Sequence, residues 1–143
     1  MGNLSWTTGS ADETIALGKQ LAAGLLPPLV ILLSGALGAG KTTLAKGIIS
    51  GLGGASAGDV TSPTFTLLHI FHNHWPVIHV DLFRIEGQRD LASLGLEDLF
   101  SEPAIILIEW PERLLLRTNW PIMKVSIDHE DETTRRIQWI APE

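Results

Sequence analysis

A glycine-rich stretch at residues 35–42 has the residue types and spacing of a phosphate-binding site. It reads Gly-Ala-Leu-Gly-Ala-Gly-Lys-Thr and fits the phosphate-loop pattern G-x-x-x-x-G-K-[ST]. In that pattern the glycines let backbone N–H groups turn toward phosphate oxygens, and the helix that follows directs its positive dipole end at the same anion. We expect Lys41 to reach the β- and γ-phosphates and the Thr42 hydroxyl to ligate Mg²⁺. The residues predicted to form the nucleotide cradle are Gly38, Ala39, Gly40, Lys41, Thr42 and Thr43.

Glu109 is a second candidate, because it ends an apolar run, residues 105–108, in the form of a Walker B strand. In phosphate-loop proteins the acid that ends such a strand lies at the carboxyl edge of the sheet beside Mg²⁺. The alternative is a core strand that ends in an exposed acid. The phosphate loop upstream favours the metal role, so we predict that Glu109 binds Mg²⁺ and takes part in catalysis.

Asp81 lies near the end of a further strand-like run. On a strand, Val80 and Leu82 share the face that should contact the core, while His79 and Asp81 share the other. Ligands bind at strand ends in α/β sheets, so Asp81 is predicted to position the attacking water, accept its proton, or hold a water on Mg²⁺. The alternative is a solvated acid paired with Arg84. For His79 we favour a hydrogen-bonded structural role.

The segment 61–64, Thr-Ser-Pro-Thr, is similar to a switch loop of nucleotide hydrolases. We expect Thr64 to place its hydroxyl or carbonyl near the γ-phosphate and Mg²⁺, as a third catalytic residue. The alternative is a simple turn from loop to strand. The chain has no Asn-Lys-x-Asp sequence to bind a guanine ring, so ATP is the predicted nucleotide.

Apolar periodicity and chain-breaking residues predict the elements that position these groups. Ser10 and Glu13 have the spacing of a capping box, so a helix should begin there and end before Pro27. Strands and helices interleave, which predicts one α/β domain over residues 1–143. Beyond the first helix, the predicted strands are 29–33, 65–71, 77–83 (antiparallel to the preceding one), 104–108, 123–128 and 135–140, and the predicted helices are 44–52 and 88–100.

Composition narrows the class of protein. The formal net charge is −6 and basic residues do not cluster, which disfavours direct nucleic-acid binding through phosphate contacts. The chain has no cysteine, its first residues lack the layout of a signal peptide, and its longest apolar run is too short to span a bilayer. We therefore expect a cytoplasmic protein with no membrane contact.

The motifs together resemble the TsaE (YjeE) family of bacterial ATPases that act in tRNA threonylcarbamoyladenosine synthesis. Four stretches carry the resemblance, in matching order and spacing, between Ser10 and Glu112. They are residues 35–43, residues 61–67 (Thr-Ser-Pro-Thr-Phe-Thr-Leu), residues 79–84 (His-Val-Asp-Leu-Phe-Arg) and residues 109–112 (Glu-Trp-Pro-Glu).

The resemblance implies a P-loop nucleoside-triphosphate-hydrolase fold with a central mixed, mostly parallel sheet flanked by helices. It also implies Mg²⁺-dependent ATP hydrolysis that supports TsaD-like and TsaB-like partners, with tRNA met only indirectly through the complex. Residue by residue, it assigns phosphate to Lys41, Mg²⁺ to Thr42 and Glu109, catalysis to Asp81, and the working site or partner face to Trp110. The segment 7–13 would line the adenine pocket, which adds Thr7 and Gly9. Three residues depart from the usual family pattern: Ala36, Phe65 and Phe83.

Two other function classes remain open. A small P-loop kinase shares the loop and the size, but kinases usually clamp the transferred phosphate with lid arginines, and the six arginines here form no such cluster between residues 88 and 103. A non-hydrolysing, nucleotide-dependent binding module is the other class, and the two acids disfavour it. No arginine is close in sequence to the phosphate loop, so we expect slow hydrolysis without a partner.

Overall fold

The computed structural model describes residues 3–36, 38–53, 68–72, 75–82, 96–113 and 117–142. Several sequence predictions lie outside these ranges. They are the small-residue loop with Thr64, residues 54–67; the turn residues 73 and 74; and residues 83–95, which include Phe83, Arg84 and the start of the predicted helix 88–100.

Seven strands and two α-helices make up the described part of the chain. The strands are β1 (Leu4–Thr8), β2 (Leu29–Ser34), β3 (Leu68–His72), β4 (Pro76–Asp81), β5 (Ile105–Glu109), β6 (Ile122–His129) and β7 (Arg135–Ile140). The helices are α1 (Ala11–Ala22) and α2 (Lys41–Gly51), and short 3₁₀ helices cover Leu96–Phe100 and Pro111–Arg113. Where the structure describes them, the predicted strands and the first two predicted helices are confirmed within a few residues, whereas the described end of the predicted helix 88–100 is 3₁₀ rather than α.

All seven strands form one sheet in the order β1-β7-β6-β2-β5-β4-β3. The four central strands, β6, β2, β5 and β4, run parallel, and the flanking pairs β1–β7, β7–β6 and β4–β3 are antiparallel. The predicted α/β fold with a mixed sheet is thus confirmed, and so is the antiparallel pairing of β3 with β4.

The parallel centre brings several strand ends to one edge of the sheet. β4 ends at Asp81, β5 at Glu109 and β6 at His129, while the antiparallel β7 begins at this edge with Arg135. β1 also ends here, since Thr8 is the register partner of Arg135. Ligands bind at this carboxyl edge in α/β sheets, so the fold gathers polar groups where a site is expected.

Both helices cover one face of the sheet and contact each other closely. The line of α1 residues that is buried is Thr14, Gly18 and Ala22, rather than the larger apolar side chains at positions 17 and 21, which are only partly buried. A Cβ on Gly47 of α2 would lie 2.2 Å from the carbonyl oxygen of Ile15, so a side chain there would collide with the α1 backbone. Small residues therefore set the separation of the two helices.

The opposite face of the sheet has its own apolar cluster. Val80 and Leu82 are fully buried there, and the rings of Phe100 and Trp120 pack over this cluster with centroids 4.7 Å apart. The sequence predicted burial of Val80 and Leu82, and this is confirmed, but the face that carries His79 is buried as well. Within the described ranges, neither helix is long and apolar enough to cross a lipid bilayer.

Candidate functional site

The phosphate loop connects β2 to α2, as its sequence pattern requires. Gly40 is the N-cap of α2 with φ of 107°, a left-handed conformation that favours glycine. The first helical hydrogen bond runs from the Leu44 N–H to the Gly40 carbonyl at 2.9 Å, so the N–H groups of Lys41, Thr42 and Thr43 precede the helical ladder. The first turn contains no acidic residue. An anion is therefore the natural partner of this helix end.

One other loop amide and two loop carbonyls are already used within the protein. The Ala39 N–H donates to the Ala36 carbonyl at 3.0 Å, and Ala39 itself is buried. The Gly38 carbonyl bonds to the ring Nε2 of His129, which lies 91 residues away in sequence. These bonds fix the shape of the loop ahead of α2.

The Lys41 side chain is folded onto its own loop. Its ammonium donates to the Gly35 carbonyl and, at 3.0 Å, to the Ala36 carbonyl. The same nitrogen lies 4.0 Å from the centroid of the Trp110 ring, a cation–π contact. Burial lowers the pKa of the Lys41 ammonium below its ordinary value, and the negative charges of Glu109, Glu112 and Asp81 oppose that shift. A positive charge is thus held, at some cost, where the motif predicts a phosphate.

Glu109 is brought to the start of α2, and its carboxylate has two different neighbours. The Thr42 hydroxyl lies 3.4 Å from Oε1, and the Nε2 of His79 lies 2.5 Å from Oε2. Glu109 is 2% exposed and His79 is completely buried. The alternative of an exposed acid at a strand end is therefore wrong, and the preferred structural, hydrogen-bonded reading of His79 gains a specific partner.

Asp81 lies beside Glu109 at the same sheet edge. The two residues are register partners on the parallel strands β4 and β5, and the chain after Asp81 is anchored by the Leu82 N–H, which donates to the Glu109 carbonyl at 3.1 Å. Asp81 is half-buried. Two carboxylates thus lie side by side within the electrostatic reach of Lys41.

Trp110 directly follows Glu109 and has φ of 60°, which is uncommon for a bulky residue. This backbone conformation turns the chain after β5, and the ring contacts the Lys41 ammonium. The expectation that Trp110 belongs to the site therefore has a geometric basis. Strain of this kind is often found at functional positions.

The hairpin formed by β6 and β7 supplies groups that sequence reasoning missed. A Cβ on Gly40 would lie 3.1 Å from the Arg135 Nε, so this arginine packs against the phosphate loop. No arginine is close to the loop along the chain, but Arg135 is close to it in space. Arg135 and His129 are far from the loop in sequence, and only the pairing of β6 with β7 reveals them. Within the described residues the Arg135 Nη1 donates to the Thr133 carbonyl at 3.1 Å.

The predicted adenine-side residues lie at the same sheet edge. Thr7 is exposed at the end of β1, and the Gly9 N–H donates to the Glu13 Oε2 at 3.0 Å. Thr8, next to both, is the register partner of Arg135. The structure thus places this segment on the loop side of the sheet, and a contact of Thr7 or Gly9 with adenine stays a prediction. The predicted role of Thr64 lies outside the described residues.

The donor groups at the start of α2 fit Mg²⁺. Two cis ligands at about 2.1 Å from an octahedral Mg²⁺ lie about 3 Å apart, close to the 3.4 Å between Thr42 Oγ1 and Glu109 Oε1. Within the described part of the chain, no three or more His, Cys, Asp or Glu side chains lie close enough together to hold a metal ion. The remaining ligands would therefore be phosphate oxygens and water, which is usual for Mg²⁺ at a nucleotide.

Comparisons with known proteins identify the family. The model of the family "Threonylcarbamoyl adenosine biosynthesis protein TsaE" matches residues 8–137. The chain is 34% identical over 142 residues to the tRNA threonylcarbamoyladenosine biosynthesis protein TsaE of Bacillus subtilis, covering 99% of this chain and 87% of that protein. It is 36% identical over 133 residues to the protein of the same name from Haemophilus influenzae, covering 89% of this chain and 82% of the other.

A solved structure shares the fold. The crystal structure of Bacillus subtilis YdiB matches with a TM-score of 0.76 and 30% sequence identity, covering 99% of this chain and 86% of that chain. The family match begins at the last residue of β1 and ends in β7, so it includes every group of the site described above except Thr7. The chain therefore belongs to the TsaE family of threonylcarbamoyl adenosine biosynthesis proteins.

Proposed function

We propose that the chain is a Mg²⁺-dependent ATP-binding and ATP-hydrolysing protein. In this proposal it supports a TsaD–TsaB pair in threonylcarbamoylation of the tRNA adenosine 3′ of the anticodon. The observation that carries the proposal is the meeting of Lys41, Thr42 and Glu109 at the open start of α2. The family and the names of its relatives supply the pathway.

Binding follows from the charges and donors at the loop. The backbone N–H groups at the start of α2 and the Lys41 ammonium present positive charge to the phosphates. Without nucleotide, the hydrogen bonds from Lys41 to the loop carbonyls keep the ammonium beside the loop, and phosphate oxygens would replace those carbonyls as acceptors. Bound Mg²⁺ would neutralise charge on the β- and γ-phosphates. Thr42 and Glu109 are the residues that would hold it.

Hydrolysis requires a group that orients water, and Asp81 is the proposed one. It lies in register with Glu109, so the two acids can have separate roles. Glu109, which contacts Thr42, would bind Mg²⁺, and Asp81 would orient the attacking water. Asp81→Asn keeps the shape but removes the charge, so ATP affinity should change little while turnover falls roughly 10²-fold or more. Phosphate release and calorimetric titration of the same variant separate these effects, and unchanged turnover would remove Asp81 from catalysis.

Partner dependence is the second half of the proposal. Arg135 packs against the loop at Gly40 and its Nη1 donates to the Thr133 carbonyl, and in this proposal it is not the arginine that stabilises the transferred phosphoryl group. Arginine supplied by a partner accelerates phosphate-loop hydrolases by about 10³-fold or more. TsaD and TsaB could supply such a group or order Asp81 around the attacking water.

A steady-state phosphate-release assay tests the whole proposal. The isolated chain with Mg-ATP should turn over slowly, the TsaD–TsaB pair should accelerate it, and a chelator should abolish the activity. The Lys41→Ala variant controls for contaminating ATPases. A fast isolated enzyme that the pair leaves unaffected would contradict partner dependence, and no turnover under any condition would favour a non-hydrolysing binding module.

A binding assay separates support of the pair from simple hydrolysis. Immobilised chain should retain TsaD and TsaB when Mg-ATP is present and release them when nucleotide is removed. Equal retention with and without nucleotide would contradict a cycle driven by ATP. Phosphate transfer from ATP to a small acceptor would instead favour the kinase alternative.

A further inference from the structure

His79 is buried deeper than either acid at the site, and its ring lies against the carboxylate predicted to bind metal. Its Nε2 is 2.5 Å from the Glu109 Oε2, while the Glu109 Oε1 lies 3.4 Å from the Thr42 hydroxyl. The carboxylate is therefore held at one oxygen by a strand residue and presents the other oxygen to the start of α2.

The bond restricts how the carboxylate can turn. Rotation about the last bond of the Glu109 side chain would exchange its two oxygens, and that motion would break the contact with His79. Glu109 is only 2% exposed, so water has little access to replace that contact. As long as His79 keeps its bond, Oε1 stays directed toward Thr42.

Stability alone does not account for a histidine at this position. Within the described residues, the His79 Nδ1 is buried and has no hydrogen-bond partner. Val77, on the same strand face, is fully buried in the apolar cluster beneath the helices, so an apolar side chain at position 79 would suit the core without an unpaired ring nitrogen. The cost of burying the unpaired Nδ1 is explained if the bond from Nε2 to Glu109 serves the function of the site.

We infer that His79 is a positioning residue for the metal site: it holds the Glu109 carboxylate so that Oε1 and the Thr42 hydroxyl together face the bound Mg²⁺. This inference rests on the proposed function, because it assumes that Glu109 is a ligand of Mg²⁺. Residues that hold the ligands of a metal commonly change metal affinity or activity by about 10- to 100-fold when they are replaced.

The test compares two replacements of His79 with a matched histidine. His79→Leu removes the donor but keeps the bulk, whereas His79→Gln offers an amide N–H that can reach the position of Nε2. His69 is the control, since it is the register partner of His79 on the outer strand β3 and is only partly buried. Calorimetry measures ATP affinity for each protein at a series of free Mg²⁺ concentrations and in chelator.

In chelator, all four proteins should bind ATP alike, because the loop amides and Lys41 are unchanged. The Mg²⁺ concentration that gives half of the gain in affinity should rise about 10- to 100-fold in His79→Leu, less in His79→Gln, and not at all in His69→Leu. A wild-type response in His79→Leu would overturn the inference. So would an equal loss in His79→Gln and His79→Leu when circular dichroism shows both folded, since packing would then explain it.

If His79→Leu does not fold, His79→Asn replaces it in the comparison. The asparagine amide is too short to reach Glu109 but remains polar, so His79→Asn should lose the Mg²⁺ response that His79→Gln keeps. Equal responses of these two variants would overturn the inference. If Mg²⁺ does not change the ATP affinity of the wild-type chain, the metal role of Glu109 is wrong and the inference is wrong as well. If Mg²⁺ changes the ATP affinity of the wild type and of His79→Leu equally, only the inference about His79 is wrong.

Discussion

The two helices of this protein begin in opposite ways. At the start of α1, the Ser10 Oγ accepts the Glu13 N–H at 3.1 Å, and the Glu13 Oε2 accepts the Gly9 N–H at 3.0 Å. At the start of α2, Gly40 has no side chain to offer, and the first turn contains no acid. Within the described residues, α1 caps an N–H group of its first turn with its own side chain, whereas α2 has no side-chain cap.

This difference separates a structural helix end from a functional one. The acid that closes α1 is three residues from its cap, while Glu109, the acid that contacts the first turn of α2 through Thr42, is 67 residues from Thr42. The local acid, Glu13, accepts the Gly9 N–H within its own helix start. Within the described residues, the distant acid pairs with a hydroxyl and a histidine rather than with the first-turn amides of α2.

The largest contrast is expected from removing one acid at each helix start. Glu109→Gln keeps the shape of the side chain but loses its charge, so Mg²⁺-dependent turnover should fall roughly 10²-fold or more while ATP still binds in chelator. Glu13→Gln is the matched control; Glu13 lies in the segment predicted to line the adenine pocket, so turnover is compared at saturating ATP, where it should stay near that of the wild type. Steady-state phosphate release checks both variants. Equal turnover of wild type and Glu109→Gln would make Glu109 a buried structural acid.

Lysine substitutions test the charge at the open end. Lys41→Ala should weaken ATP binding by about 2–3 kcal/mol, because a charge-assisted contact with phosphate is lost. Lys46→Ala, on the same helix and away from the loop, is the control and should bind like the wild type. Calorimetric titration with Mg-ATP measures both, and matching affinities for Lys41→Ala and wild type would remove Lys41 from the site.

The lowered pKa of Lys41 gives a pH dependence with a definite sign. Only the charged ammonium attracts phosphate, so ATP affinity should fall as pH rises through this lowered pKa, before an ordinary lysine would lose its proton. The folding stability of the nucleotide-free protein should change in the opposite direction and increase with pH. The cost of burying the Lys41 charge is full below the folded-state pKa, and it fades as pH rises toward the unfolded-state pKa. Affinity measured against pH should show the loss in wild type but not in Lys41→Arg, which stays charged. A wild-type affinity that stays level would contradict a functional ammonium.

The smallest effect is expected at the closed end. Ser10→Ala removes the cap of α1 and should cost about 1 kcal/mol of folding free energy without changing the affinity for Mg-tripolyphosphate. Ser5→Ala, at an exposed position of β1, should leave stability unchanged. Denaturant unfolding of the three proteins checks this, and a loss of tripolyphosphate affinity in Ser10→Ala would mean that the two helix ends are not independent.

Local patterns predicted the elements well because the physics behind them is local. The capping box placed α1, the glycines placed the loop, and apolar runs placed β2 and β5. The acid that ends an apolar run could be matched to Thr42 because parallel strands end at one edge of a sheet.

Contacts made through the sheet could not be predicted in the same way. The pairing of Glu109 with His79 depends on the register of β4 against β5, and the approach of Arg135 to Gly40 depends on the β6–β7 hairpin. Neither register is encoded by spacing along the chain. The role of His79 and the position of Arg135 therefore required the structure.

The central claim, that the open start of α2 is the phosphate site, is tested most directly by the amide signals of the two helix starts. A ¹⁵N–¹H spectrum of the wild-type chain is titrated with Mg-tripolyphosphate, which carries the phosphates of ATP without its adenosine. We predict that the amides of Gly40, Lys41 and Thr42 shift and saturate together while those of Asp12 and Glu13 stay in place. Shifts centred on the start of α1, or spectra unchanged at α2, would contradict the account.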